Sequence, residues 1–132
     1  MTDSQYTEMI SMLIQATKTR KLSWTWNDTT DEYSCSIGDC SVIISSSINF
    51  QMQSESVTLQ LYNMNNVKFD SFTGDSVFET KKYDKLNELY QEVHDSYFRV
   101  SESEKMIMDK LHELTVDVAN PKPVSSDDDL PF

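Results

Sequence analysis

Glycine is almost absent from this chain, with only Gly38 and Gly74 present. A phosphate-cradling loop needs several glycines close together, so no such loop exists here. Histidine and cysteine are equally scarce. His94 and His112 have no second His or Cys at a metal-ligand spacing, and both read as solvated helix residues. Cys35 and Cys40 are too few for a disulfide framework. Cations are few as well: 11 Lys and Arg against 22 Asp and Glu leave a net charge of −11. That excludes gripping nucleic acid with the whole surface, because phosphate binding needs clustered cations. It fits solubility, a basic protein partner, or a surface that imitates DNA. No stretch approaches the ~18 apolar residues of a membrane span. The first twenty residues contain Asp3 and Glu8 and do not read as a targeting segment. The expectation is a cytoplasmic protein with no membrane association.

Catalytic patterns are missing too. No nucleophile elbow or zinc spacing is present, and Glu88, Glu92 and Asp95 simply line a helix flank. The chain therefore reads as non-enzymatic, with no cofactor and no metal.

What is present is a clean change of hydrophobic period. Tyr6, Met9, Ile10, Leu13 and Ala16 follow helical spacing, with Thr2 or Asp3 as cap. Lys18, Arg20 and Lys21 follow at the helix's C-terminal end, where cations suit the dipole. The period then becomes two. Leu22, Trp24 and Trp26 share a face, as do Tyr33, Cys35 and Ile37, and then Cys40, Val42 and Ile44. Gly38 suits the first central position of a type II′ turn. Such a turn pairs Ile37 with Cys40, Cys35 with Val42 and Tyr33 with Ile44, placing all six on one face. The cysteines are then diagonal neighbours, about 7–8 Å apart at Cα, too far for an unstrained disulfide. They read as buried, reduced, small apolar residues.

"INFQMQSES" reads as a polar interruption. Val57, Leu59 and Leu61 then face inward, and Val67 and Phe69 share a side. A three-residue loop, Met64 to Asn66, sets Leu61 opposite Phe69, with Asn66 left-handed. Helical spacing returns at Leu86, Leu89, Tyr90, Val93 and Tyr97. "SESE" reads as a capping box, Ser101 at the N-cap and Glu104 at N3, opening a helix striped by Ile107, Leu111, Leu114 and Val118. The fold class is α+β, with helices covering one face of an antiparallel sheet: an N-terminal helix, an antiparallel meander of about five strands, two C-terminal helices, and a flexible acidic tail. The α+β domain spans 1–118, and 119–132 is a linker and acidic tip. Trp24 and Trp26 read as core residues under a helix; the competing reading is a stacking platform for single-stranded bases.

The last six residues are Asp127, Asp128, Asp129, Leu130, Pro131 and Phe132. This segment resembles the acidic C-terminal tip of bacterial single-stranded DNA-binding proteins, which ends in Asp-Asp-Asp-Ile-Pro-Phe or a near variant. Leu130 stands where isoleucine is commoner. The resemblance covers the tip only; the rest of the chain does not look like that family's oligonucleotide-binding barrel. The resemblance implies a recruiting peptide. Phe132 would enter an apolar pocket on a genome-maintenance enzyme, a basic residue there would hold its carboxylate, and Asp127 to Asp129 would lie along a basic ridge. Expected partners are DNA replication, recombination or repair enzymes with a basic-rimmed apolar pocket, in a bacterial or phage setting. The competing readings are a single-stranded DNA-binding protein of another fold and an acidic DNA mimic that inhibits a DNA enzyme.

Overall fold

The computed structural model describes residues 1–119, with the side chains of Ser101 and residues 117–119 excepted. The element order is α1 (Asp3–Lys18), β1 (Thr25–Asn27), β2 (Glu32–Ile37), β3 (Cys40–Asn49), β4 (Ser54–Tyr62), β5 (Lys68–Asp75), α2 (Thr80–Phe98) and α3 (Val100–Ala119). The chain divides after Phe98 into two compact units. In the first, five antiparallel strands lie in the order β1-β2-β3-β4-β5, as the α+β meander requires. The tail lies outside the described residues.

α1 starts with a full capping box. Thr2 Oγ1 accepts from the Gln5 N–H at 3.1 Å, and Gln5 Oε1 accepts from the Thr2 N–H at 2.9 Å. Its buried stripe is Tyr6, Ile10, Leu13, Ile14 and Thr17. The Tyr6 ring stacks on Phe72 of β5, with centroids 4.2 Å apart. Trp24 is buried at the other end of the helix and gives its Nε1–H to Thr17 Oγ1 at 3.1 Å, so the indole enters the core with its donor satisfied. The strand itself begins only at Thr25, later than the Leu22–Trp24–Trp26 alternation suggests.

The β2–β3 register matches the turn argument. Gly38 has φ +62° while Asp39 is not left-handed, and the pairs are Ile37–Cys40, Cys35–Val42 and Tyr33–Ile44. Tyr33, Cys35, Val42 and Ile44 are buried, but the last pair, Ile37 and Cys40, is exposed. Cys40 is therefore not the buried cysteine expected. Both thiols are free. Native protein should show no mass change on reduction; a gain of two protons would overturn this register.

Two other strand readings need correction. The polar interruption shrinks to Phe50–Gln53, because β3 runs on to Asn49 and β4 begins at Ser54. Ladder pairing uses the backbone, so Ser46, Ser47 and Ser56 serve as well as apolar residues. Asn49 Oδ1 accepts from the Gln51 and Met52 N–H groups, and Gln53 turns left-handed at φ +51°. In the next hairpin the loop length holds, with Asn66 at φ +62° and the Asn63 N–H bonded to the Val67 carbonyl. The register does not. Tyr62 pairs with Lys68, then Leu61 pairs with Asp70, so Phe69 is the extra residue of a bulge. Phe72, rather than Val67 or Phe69, fills the core; the latter two are exposed.

α2 reaches the sheet through Gly74. A Cβ there would fall 2.6 Å from the Lys82 carbonyl carbon and would also collide with the Tyr83 backbone nitrogen. The turn into α2 is set by Asp75, whose Oδ1 accepts from Val77 and Phe78 N–H groups at 2.8 and 2.9 Å. The Phe78 and Val77 bonds hold its carboxyl below the ordinary range. Leu86, Leu89 and Val93 then join Ile10, Ile44, Val57 and Leu59 in the fully buried core. Each such side chain contributes about 1.5–3 kcal/mol of apolar burial.

α3 is a separate unit. Arg99 is left-handed at φ +52°, and its carbonyl accepts from the Ser103 N–H. Ser101 thus lies inside the first turn, not at the N-cap, because the chain has already turned at Arg99. Within this unit Ile107, Leu111 and Leu114 are 60, 48 and 50 % exposed.

Candidate partner-binding surfaces

The sequence-derived site, Asp127 to Phe132, lies outside the described residues. The described residues offer three surfaces of different chemistry: a hydroxyl-rich sheet face, an aromatic cluster and an apolar groove.

The first surface is the sheet face away from α1 and α2. Alternation puts Ser34 and Ser36 of β2, Ser41 and Ser45 of β3, Thr58 of β4 and Thr73 of β5 there. Hydroxyls pair across strands, Thr25 with Ser34 at 2.9 Å and Thr58 with Thr73 at 3.0 Å. Lys68 is the one cation among the outward strand positions, and Glu32 and Asp75 are the acids, all near the margins. The face is weakly acidic and rich in hydroxyls. It carries neither the basic aromatic surface that stacks single strands nor a carboxylate array that would mimic them.

The second is an aromatic cluster at one side of α2. Trp26 packs on Tyr33 with centroids 4.6 Å apart, and Tyr33 meets Tyr90 and Tyr97 edge-on. Tyr33 Oη lies 2.7 Å from His94 Nδ1. Burial first, then the neighbouring Tyr90 and Tyr97, push the Tyr33 phenol up to about 12. It keeps its proton at neutral pH, so its hydroxyl is available as the donor in this contact. His94 is exposed, as expected, yet it also satisfies a hydroxyl of the core. Trp24 and Trp26 are not brought together on an open surface: Trp24 is core, and Trp26 is half-buried against Tyr33.

The third was not anticipated from the sequence. An apolar groove of about 760 Å³ runs beside α1, walled by Met9, Met12 and Ala16 on one side and by Ile37, Cys40 and Phe69 on the other. Three features of the chain create it. Met12 extends the helical stripe beyond the buried set, the Ile37–Cys40 pair stands past the packed end of its hairpin, and the bulge leaves Phe69 beside them. Met12 spacing was the available signal; the bulge had none. Glu8 carries the one charged side chain in the lining, and Met1, whose ammonium pairs with Asp70, lines it as well.

Among the described residues no group of His, Cys, Asp or Glu could hold a metal ion, and no helix is long and apolar enough to cross a membrane. Fold and surfaces together define a small α+β protein with an open apolar groove. No family model, curated protein or solved structure matches the chain.

Proposed function

We propose that this protein is a non-enzymatic accessory factor that engages enzymes of DNA replication, recombination or repair through the segment Asp127 to Phe132. The observation that carries the reading is the hexapeptide Asp-Asp-Asp-Leu-Pro-Phe, which resembles the acidic tip of bacterial single-stranded DNA-binding proteins. Its chemistry suits a partner pocket. Phe132 supplies apolar burial, a free α-carboxylate would take a bidentate Arg, Pro131 limits the freedom lost on binding, and the aspartates steer association. The outer sheet face, with one cation against two acids, supports this reading over direct binding of single strands by the body.

The test is retention of purified tip-binding enzymes, among them a repair nuclease, a helicase and a primase, on the immobilised intact chain and on one lacking 127–132. Retention by the intact chain alone is expected. No retention by either would overturn the reading. Labelled single-stranded DNA is the companion ligand: submicromolar binding that survives tip removal would move the function to the body.

A further inference from the structure

A fourth surface lies at one end of the sheet, and the fold does not need its apolar residues. The β3–β4 turn carries Phe50 and Met52, with Ile48 just before it, and the turn into α2 carries Val77 and Phe78. These five side chains are 52–83 % exposed, Phe50 the most. Asn49 and Asp75 already set the two turns through their side-chain oxygens, and turn positions of this kind are ordinarily polar. The two turns are neighbours. Ile48 pairs with Glu55, whose carbonyl takes the Ser76 N–H at 2.8 Å and whose own N–H goes to Ser76 Oγ at 2.8 Å. Two strand spacings, about 10 Å, separate Ile48 from Ser76. We propose that this end is a self-association face, closed on the same face of a second copy about a two-fold axis.

Three observations select a second copy. The first is area. A buried Phe covers about 150–250 Å², and a buried aliphatic side chain about 60–120 Å² on the usual transfer scale. Scaled by their exposure, the five side chains offer on the order of 450 Å² of apolar surface per copy. Two copies bring about 900 Å², or roughly 1,500 Å² in total at the usual apolar share of an interface. This is the size of a stable interface. One self-complementary patch is therefore enough, as a two-fold contact requires.

The second is charge. From Ser46 to Val57 and from Gly74 to Lys82 the charged residues are Glu55, Asp75, Glu79, Lys81 and Lys82. Each acid is matched within its own chain: Glu55 by the Tyr83 hydroxyl, Asp75 by the Val77 and Phe78 N–H groups, and Glu79 by Lys82 at 3.4 Å. A basic partner finds no unmatched carboxylate to read here, and an anionic lipid surface repels a chain of net charge −11. An identical face brings apolar surface to the centre of the contact and leaves its charges at the rim. The third is reach. α2 carries the chain about 27 Å from Thr80 to Phe98, away from the two turns. The exposed apolar residues described on α3, Met106 to Val116, lie only about 9–24 Å beyond Val100, and helical side chains lean back toward the N-terminus. Even a straight return along α2 leaves them short of Phe50 and Met52.

The experiment is sedimentation equilibrium of the full chain over a wide concentration range, at low and high salt. A dimer at twice 15.3 kDa is expected. It should tighten as salt screens the repulsion between two acidic chains. A monomer at every concentration, growth beyond a dimer, or a dimer that loosens in salt overturns the proposal without any variant. Phe50→Glu and Phe78→Ser both change exposed side chains. Each alone should raise the dimer dissociation constant about tenfold or more. Met64→Glu, an exposed position in the β4–β5 loop at the other end of the sheet, should leave it unchanged. A dimer that resists both face substitutions, or that Met64→Glu dissolves as readily, would overturn this face. The chain lacking 127–132 should dimerise like the intact one. A dimer seen only after that removal would mean that the segment covers the face, and would overturn self-association of the intact chain.

Discussion

Deletion of Phe132 should weaken capture of a tip-binding enzyme by about a hundredfold or more. The deletion removes the ring and displaces the α-carboxylate at once. Loss of a buried Phe costs ~3–5 kcal/mol, and 1.4 kcal/mol is tenfold in affinity. One exposed charge pair is worth ~0–1 kcal/mol, so Asp128→Ala should cost several-fold at most. A short extension after Phe132 should hurt nearly as much as the deletion, because the carboxylate would leave its Arg. Titration of one purified enzyme with the intact, deleted, extended and Asp128→Ala chains checks this ordering. Equal binding by all four would mean that the acidic segment serves solubility only.

The largest effect on folding should come from Gly74→Ala. The added methyl meets backbone of α2 at Lys82 and Tyr83, not a movable side-chain end. Either α2 lifts from the sheet or β5 shifts, and Leu86, Leu89 and Val93 lose their seats with it. Overpacking costs ~1–3 kcal/mol when side chains can yield. Here they cannot, so a loss of about 3 kcal/mol or more is expected, with Tm lower by on the order of 10 °C. Gly38→Ala is the control. Its Cβ would meet nothing within 4 Å, and only the positive φ opposes it, so ~1–2 kcal/mol should be lost. Urea unfolding of both variants separates steric collision from backbone strain. Equal losses would mean that α2 does not sit against Gly74 as described.

The sequence was informative wherever two local rules agreed. In the β2–β3 hairpin, the Gly38 turn and the alternation of Tyr33, Cys35, Val42 and Ile44 independently require one register, and that register is present. The α1 stripe was equally legible, since helical period and capping residue point the same way. The β4–β5 register was not, because a bulge costs little local energy and leaves no residue signature; Phe69 is as suitable for a strand as Phe72. Ser101 misled for a related reason. Ser-x-x-Glu is a cap only where the backbone turns, and the turn falls earlier, at Arg99. The groove escaped because it joins the α1 wall to two hairpin ends distant in sequence. Of the proposed tip, the sequence alone speaks.

The strictly sequential strand order has a kinetic consequence. Each strand pairs only with its neighbour along the chain, so every ladder closes a short loop and little entropy is spent before contacts form. The sheet can therefore zip from the Gly38–Asp39 turn outward as the polypeptide leaves the ribosome, one hairpin at a time. What must wait is the docking of α2 against α1, which lie at opposite ends of the first unit's sequence. A half-made chain would hold a paired sheet with α1 available to cover it and the area that α2 packs against still bare. The reverse side, lined by hydroxyls, offers such an intermediate little apolar surface.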